Sequence, residues 1–263
     1  MLETLVFQEY ADEIFEYLMR KETKMLPDPN YLDKQRGLDW GMRTQLVAWL
    51  VTVRNHLGLP HEVLYLTVNI IDRSMSLMEV TPDRLMLLAA ASLIISLKYE
   101  QQYPDYSMQD IIEIFDLEPE KVRQAERIIL QRLDYDLGWP GPSSFLQRIN
   151  KINNGETQLT VLAHYVLEVM LRDERFVSSL PSFTAAVAYC FASEILGQSI
   201  WTPQQVDLLG YSRAELEPFI QIIRELCQNP KKHHPETFER FNQRYTELFE
   251  KVEKRFQLIR HQG

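Results

Sequence analysis

The side chains in this 263-residue sequence that could do chemistry do not assemble into a catalytic set. His233 and His234 form the one histidine pair, but adjacent residues on a helix point apart, so a solvated loop is expected there and not a metal site. The acid pairs Glu118/Glu120 and Glu215/Glu217 fall where helices should start, and there a carboxylate complements the positive helix end. Nine glycines scattered singly offer no phosphate-cradling loop. Lys231-Lys232 is too short for a basic patch, and a net charge of −9 opposes nucleic-acid binding, which rests on neutralising phosphates. Cys190 and Cys227 are the only cysteines; Cys190 lies in an apolar run and reads as a reduced core thiol. Met1-Leu2-Glu3-Thr4 lacks the basic start and apolar run of a signal peptide, so a reducing compartment is expected, cytosol or nucleus. No enzymatic activity, metal, cofactor or membrane span is expected.

Charges set against apolar sequence are more informative. Arg43 falls in Met42-Arg43-Thr44-Gln45-Leu46-Val47-Ala48-Trp49-Leu50, and Asp72 in Val68-Asn69-Ile70-Ile71-Asp72-Arg73. A buried charge needs a partner, so an Arg43–Asp72 pair joining two helices is expected. Lys98 and Glu126 likewise close or punctuate apolar helix faces. For Lys98 the plain alternative is a cation complementing a helix C-terminus.

The elements that must position these residues are helices. Leu85 to Leu97 runs thirteen residues without a charge, with Ala89, Ala90, Ala91 and Ser92 in its middle. A membrane span needs about 20 apolar residues, so this stretch predicts a helix buried on all sides, with neighbours in close approach at its small residues. Thr184 to Glu194 repeats the pattern loosely, Ala91–Ser96 over Val187–Ala192. Two bundles around two buried central helices are therefore expected. Phe7 to Met25 reads as an amphipathic helix with Tyr10, Ile14, Tyr17 and Leu18 on one stripe. Asp39 caps a helix from Trp40 to Leu57, Thr81-Pro82-Asp83 opens the central one, and Thr202…Gln205 and Ser212…Glu215 read as capping boxes. A breaker cluster from Asp136 to Ser143 marks a domain boundary, and a last helix runs from Pro235 to His261. No segment shows sustained period-two alternation, so the chain reads as all-α.

These segments, in this order, resemble a cyclin of the B-type or mitotic group. The resemblance is carried by Tyr10…Ile14…Tyr17, Met42-Arg43…Leu46…Trp49-Leu50, Leu59-Pro60…Leu64-Tyr65 through Asp72-Arg73, Lys98-Tyr99-Glu100, Ala125-Glu126-Arg127 and Leu137-Gly138-Trp139-Pro140-Gly141-Pro142. In the second half Asp173-Glu174-Arg175-Phe176, Leu180-Pro181-Ser182 and Trp201-Thr202-Pro203 also match. The resemblance implies two tandem five-helix cyclin boxes, at residues 39–138 and 139–230. An N-terminal helix and linker (1–38) would precede them and a C-terminal helix (231–263) follow. It also implies the regulatory subunit of a cyclin-dependent serine/threonine protein kinase, acting at the G2/M transition in nucleus and cytoplasm. The rival readings are a nucleic-acid-bound transcription factor of the same fold and a transcriptional cyclin.

Position by position, Lys98 and Glu126 resemble the pair that grips the kinase αC region. Tyr99, Glu100, Leu130, Tyr135 and Leu137 surround it, and Tyr10, Ile14 and Tyr17 match the N-terminal helix face that also touches the kinase. Neither Lys98 nor Glu126 is expected to need the other as its only partner in the free protein. Met42, Gln45, Leu46, Trp49, Leu85 and Met86 match a patch that docks Arg-x-Leu-type motifs of substrates and inhibitors. Gln45, Ala48, Thr52, Pro82 and Met86 depart from the family pattern there, which implies weaker docking of cationic motifs. Gln101 and Asp105 also depart. Mitotic cyclins carry an N-terminal degradation region, so a longer parent chain is expected. Arg43-Thr44-Gln45-Leu46 fits Arg-x-x-Leu formally but lies in a packed helix.

Overall fold

A computed structural model describes residues 10–100, 107–152, 157–198 and 201–260, and every regular element among them is helical. Helix α1 (Ala11–Glu22) leads into a linker with one 3-10 turn at Tyr31–Lys34. The first bundle comprises α2 (Trp40–His56), α3 (His61–Leu77), α4 (Leu85–Tyr99), α5 (Met108–Ile114) and α6 (Pro119–Arg132). The second comprises α7 (Pro142–Ile152), α8 (Thr157–Arg172), α9 (Pro181–Leu196), α10 (Pro203–Leu209) and α11 (Arg213–Gln228). After it come α12 (Pro230–His233), α13 (Pro235–Arg244) and α14 (Thr246–Arg260).

Local chemistry sets these boundaries. Asp39 accepts from the Met42 N–H at 2.8 Å and starts α2. Ser107 with Asp110 and Ser212 with Glu215 make both halves of a capping box. Thr202 and Gln205 likewise form a capping box, with the Thr202 N–H donating to Gln205 Oε1 at 2.7 Å. Helix α9 ends on Gly197 at φ +71°, a left-handed conformation that a β-carbon would strain.

The two helices that carry the long apolar runs are the hubs. In α4, Ala89, Ala90 and Ala91 are wholly buried, and α3 and α6 lie against it. In α9, Ala185 to Ala188 are wholly buried among α7, α8 and α11. Small side chains let backbones approach, so each hub gathers contacts along its whole length.

Three expectations are corrected. The last helix is broken at Tyr245 (φ −133°, ψ 49°), which lets Phe241 and Phe249 both reach the second core. His234 is buried and not in a solvated loop; its Nε2 meets the Tyr165 hydroxyl at 2.6 Å, and burial lowers its pKa to about 3. His233 beside it is exposed. In α1 the stripe of Tyr10, Ile14 and Tyr17 faces solvent, and Leu18 belongs to the opposite face with Phe15. Residues 7–9 of that expected helix, Gln101, Asp105 and His261 lie outside the described residues. Cys190 and Cys227 are buried thiols, each pushed up to about 12 by burial.

Candidate functional site

Among the described residues, large apolar side chains stand out on one face. Tyr10, Ile14, Tyr17, Tyr99 and Tyr135 are between 44% and 65% exposed, although they come from three separate stretches of chain. A soluble surface seldom gathers such side chains unless a partner covers them.

Each is held out by local structure. Phe15 packs edge-on against Phe145 at 5.8 Å, and Leu18 and Met19 join the second core. Seating that face of α1 turns Tyr10, Ile14 and Tyr17, at spacings of four and three, outward. Tyr99 is the last residue of α4, where the charge-free run ends at Lys98. Tyr135 follows two unusual backbone conformations, Asp134 at φ +51° and its own φ of +56°. These finish α6 with the Tyr135 N–H on the Leu130 carbonyl at 2.9 Å, a turn for which glycine would be the ordinary signal.

The three stretches meet around Gly138. A side chain there would push the Lys21 ammonium aside and crowd the Tyr99 hydroxyl, so Gly138 marks where the three stretches come closest. Lys21 lies 3.4 Å from Asp136 and 5.7 Å from the Tyr17 ring centre. Arg73 donates to the Asp136 carbonyl at 3.0 Å. The α1 stripe, the end of α4 and the loop after α6 thus form one continuous face.

Lys98 and Glu126 sit on that face and are joined to each other: Lys98 Nζ lies 2.5 Å from Glu126 Oε2. The Lys98 side chain is 53% exposed and that of Glu126 only 12%, so the carboxylate is sunk and the lysine covers it. Leu130 is half-buried against the first core. Leu137 is buried there and is not on the surface, because the loop after α6 folds its side chain inward. Glu100 is half-buried, its carboxyl raised by burial and by the charge of Glu62.

The expected docking patch divides. Leu46 and Leu85 are core residues, buried where α2 and α4 pack in the first bundle. Met42, Trp49 and Met86 are half-buried, and Gln45 is exposed. Trp49 rests edge-on against Phe115 at 4.6 Å. Thr52 turns its hydroxyl back to the Ala48 carbonyl at 3.2 Å and presents no charge.

Arg43 and Asp72 form the expected pair: Nε to Oδ1 is 2.9 Å and Nη2 to Oδ2 is 2.7 Å, both groups buried. Tyr31 donates to the same carboxylate at 2.7 Å. Arg43 Nη1 also donates to the Leu171 carbonyl at 3.1 Å, so the pair ties the first bundle to the second. Burial opposes the Arg43 charge, but the Asp72 carboxylate holds the guanidinium above its ordinary range.

Sequence reasoning missed a second junction. Glu168 on α8, wholly buried, meets Arg54 of α2 at 3.3 Å and Arg240 of α13 at 2.6 Å. His61 Nδ1 lies 3.1 Å away, close but not aligned for a hydrogen bond, and stacks on His164 at 4.2 Å. Burial opposes the Glu168 charge, yet these neighbours hold its carboxyl below the usual range. The signal was available: Glu168 interrupts an apolar run from Tyr165 to Leu171.

Comparison with known proteins agrees with this architecture. The family described as Cyclin, N-terminal domain matches residues 13–138, and Cyclin, C-terminal domain matches residues 140–255. The chain is 39% identical to the G2/mitotic-specific cyclin-4 of Candida albicans, over 92% of this chain and 50% of that protein. It is 37% identical to G2/mitotic-specific cyclin cig1 of Schizosaccharomyces pombe, over 89% and 57%. With G2/mitotic-specific cyclin-3 of Saccharomyces cerevisiae it shares 36% identity over 98% and 61%. The chain thus spans about half to three-fifths of the curated relatives it matches. Among solved structures, a viral cyclin from herpesvirus saimiri superposes with a TM-score of 0.72 at 17% identity, covering 85% of this chain and 97% of that one. At that identity the likeness concerns the fold.

Proposed function

The chain belongs to the cyclin family, and from that premise we propose that it is the activating regulatory subunit of a cyclin-dependent protein kinase, serving the G2/M transition. The observation that carries this reading is the continuous face of Tyr10, Ile14, Tyr17, Tyr99 and Tyr135 around the Lys98–Glu126 pair. Its apolar area gives a partner helix a surface to bury. The sunken Glu126 carboxylate and the Lys98 ammonium that covers it supply charges that re-pair with the partner's own. A kinase of this class needs its αC glutamate drawn onto the β3 lysine. A rigid face that contacts only the inward αC position shifts the kinase toward its active state, because the contact energy exists in one state and not the other.

The chain itself contributes no catalytic group in this reading. The names of its relatives favour mitotic over transcriptional work, and nucleus and cytoplasm are the proposed locations. Met42, Gln45, Trp49 and Met86 are the proposed accessible part of a docking site for substrate and inhibitor motifs, with Leu46 and Leu85 as its buried floor. The test is reconstitution with an inactive cyclin-dependent kinase. Protein-substrate phosphorylation should rise by orders of magnitude on adding the chain; equal turnover with and without it would overturn the proposal.

A further inference from the structure

Among the described residues four carboxylates are buried: Glu22, Asp72, Glu126 and Glu168. The last three each face a cation. Glu22 does not. Its Oε2 accepts from the Ser182 backbone N–H at 2.8 Å, and its Oε1 accepts from the Ser182 hydroxyl at 2.6 Å. Ser182 is the second residue of α9, and the Tyr211 hydroxyl lies 2.8 Å from the same Ser182 oxygen.

Helix α9 has no cap of its own. Leu180, in the N-cap position, carries no side-chain acceptor, and Pro181 has no N–H to offer. The first free amide of the buried hub of the second bundle is therefore that of Ser182, and a carboxylate 160 residues earlier in the chain receives it. The positive end of a sixteen-residue helix stands where a cation would otherwise be needed. Burial raises the Glu22 pKa, and the two Ser182 bonds oppose that rise without cancelling it, so those bonds are what favour the charged form.

Glu22 is the last residue of α1 and lies seven residues, two turns, beyond Phe15, on the same buried face. Its neighbour Lys21 reaches the other way, to Asp136 and the Tyr17 ring. We infer that Glu22 is a positioning residue for the partner-facing helix: by capping α9 it fixes the rotation of α1, and so aims Tyr10, Ile14 and Tyr17 outward. The inference rests on the kinase reading of that stripe only for its consequence; the seat itself is a property of the free chain.

Two measurements separate these. In the free chain, Glu22→Ala should speed tryptic cleavage at Arg20, Lys21 and Lys24 while leaving the two bundles folded by circular dichroism. Glu22→Gln, which keeps one acceptor oxygen without the charge, should fall between, and Ser182→Ala should resemble it. With the kinase, Glu22→Ala should weaken binding about tenfold, the scale of a lost charge-assisted contact. Tyr17→Ala should then cost far less in the Glu22→Ala background than it does in the parent, since an unseated helix no longer presents that ring. Unchanged cleavage in Glu22→Ala, or a full Tyr17→Ala effect in that background, overturns the inference. A parent chain whose kinase affinity ignores Tyr17→Ala strikes the kinase reading of α1 and not the seat, because the cleavage assay needs no kinase.

Discussion

Replacing Asp72 with asparagine is the sharpest test of what holds the two bundles together. The Arg43 guanidinium, with 3% of its side chain exposed, would keep its bond to the Leu171 carbonyl but lose its counter-charge. Leaving one member of a buried pair without its partner costs about 3–5 kcal/mol. The Tyr31 hydroxyl can still donate to the amide oxygen that replaces Oδ1, which places the expected loss near the lower end, about 3 kcal/mol. A chain of this size loses about 2–4 °C of melting temperature per kcal/mol, so the midpoint should fall by about 10 °C. Urea unfolding followed by tryptophan fluorescence suits the measurement, because the Trp40 ring lies 6.0 Å from the Arg43 guanidinium. Arg43→Met combined with Asp72→Leu should recover most of the loss, since two apolar groups leave no charge stranded. A shift under about 1 kcal/mol for Asp72→Asn, or a double variant as unstable as the single, would show that the pair does not carry the junction.

The remaining expectations concern the partner face, the docking residues and pH. Lys98→Ala with Glu126→Ala should leave the melt within about 1 kcal/mol of the parent, as Lys98 is half-exposed and removing both partners strands no charge. The same change should cost about 2–5 kcal/mol of kinase affinity, measured by titration calorimetry. Met42→Ala with Trp49→Ala should slow phosphorylation of motif-bearing substrates and spare motif-free peptides, whereas Gln45→Ile should strengthen docking. Equal loss on both substrate kinds would make that face purely structural. His164, whose pKa burial and the charges of His61, Arg54 and Arg240 bring down to about 3, is neutral in the folded chain. The unfolded chain takes up that proton near pH 6.5, so stability should fall as the pH drops from about 6.5 toward 3. His164→Gln should flatten that slope in urea midpoints taken from pH 7.5 to pH 5. Glu168→Gln removes a carboxylate whose lowered pKa contributes stability above the ordinary carboxylate range, and it should lower the midpoint at pH 7.

Why some of these groups were legible in the sequence and others were not is a question about context. Leu85–Leu97 and Thr184–Ser193 announce themselves because a run without charge has nowhere to go but inside, and both became hubs. Arg43 and Asp72 were legible for the converse reason: each interrupts apolar sequence, and the two fall in neighbouring helices of one bundle, so pairing them needed no tertiary information. Glu168 interrupts apolar sequence just as plainly, but its partners Arg54 and Arg240 stand 114 and 72 residues away on other elements, where only the packing of bundle on bundle brings them. On α1 only Leu18 was misplaced: it shares helical spacing with Tyr10, Ile14 and Tyr17, but packs with Phe15 and Met19 on the other side. Which stripe is buried was decided by Glu22, and its local sequence, Arg20-Lys21-Glu22-Thr23-Lys24, reads as solvated surface. A carboxylate in such a setting becomes buried only if something else in the fold lacks a partner, here the uncapped amide of Ser182. The absence of a cap at Leu180-Pro181 was visible in the sequence, and a helix start left without an acceptor is itself the signal that some distant side chain must supply one.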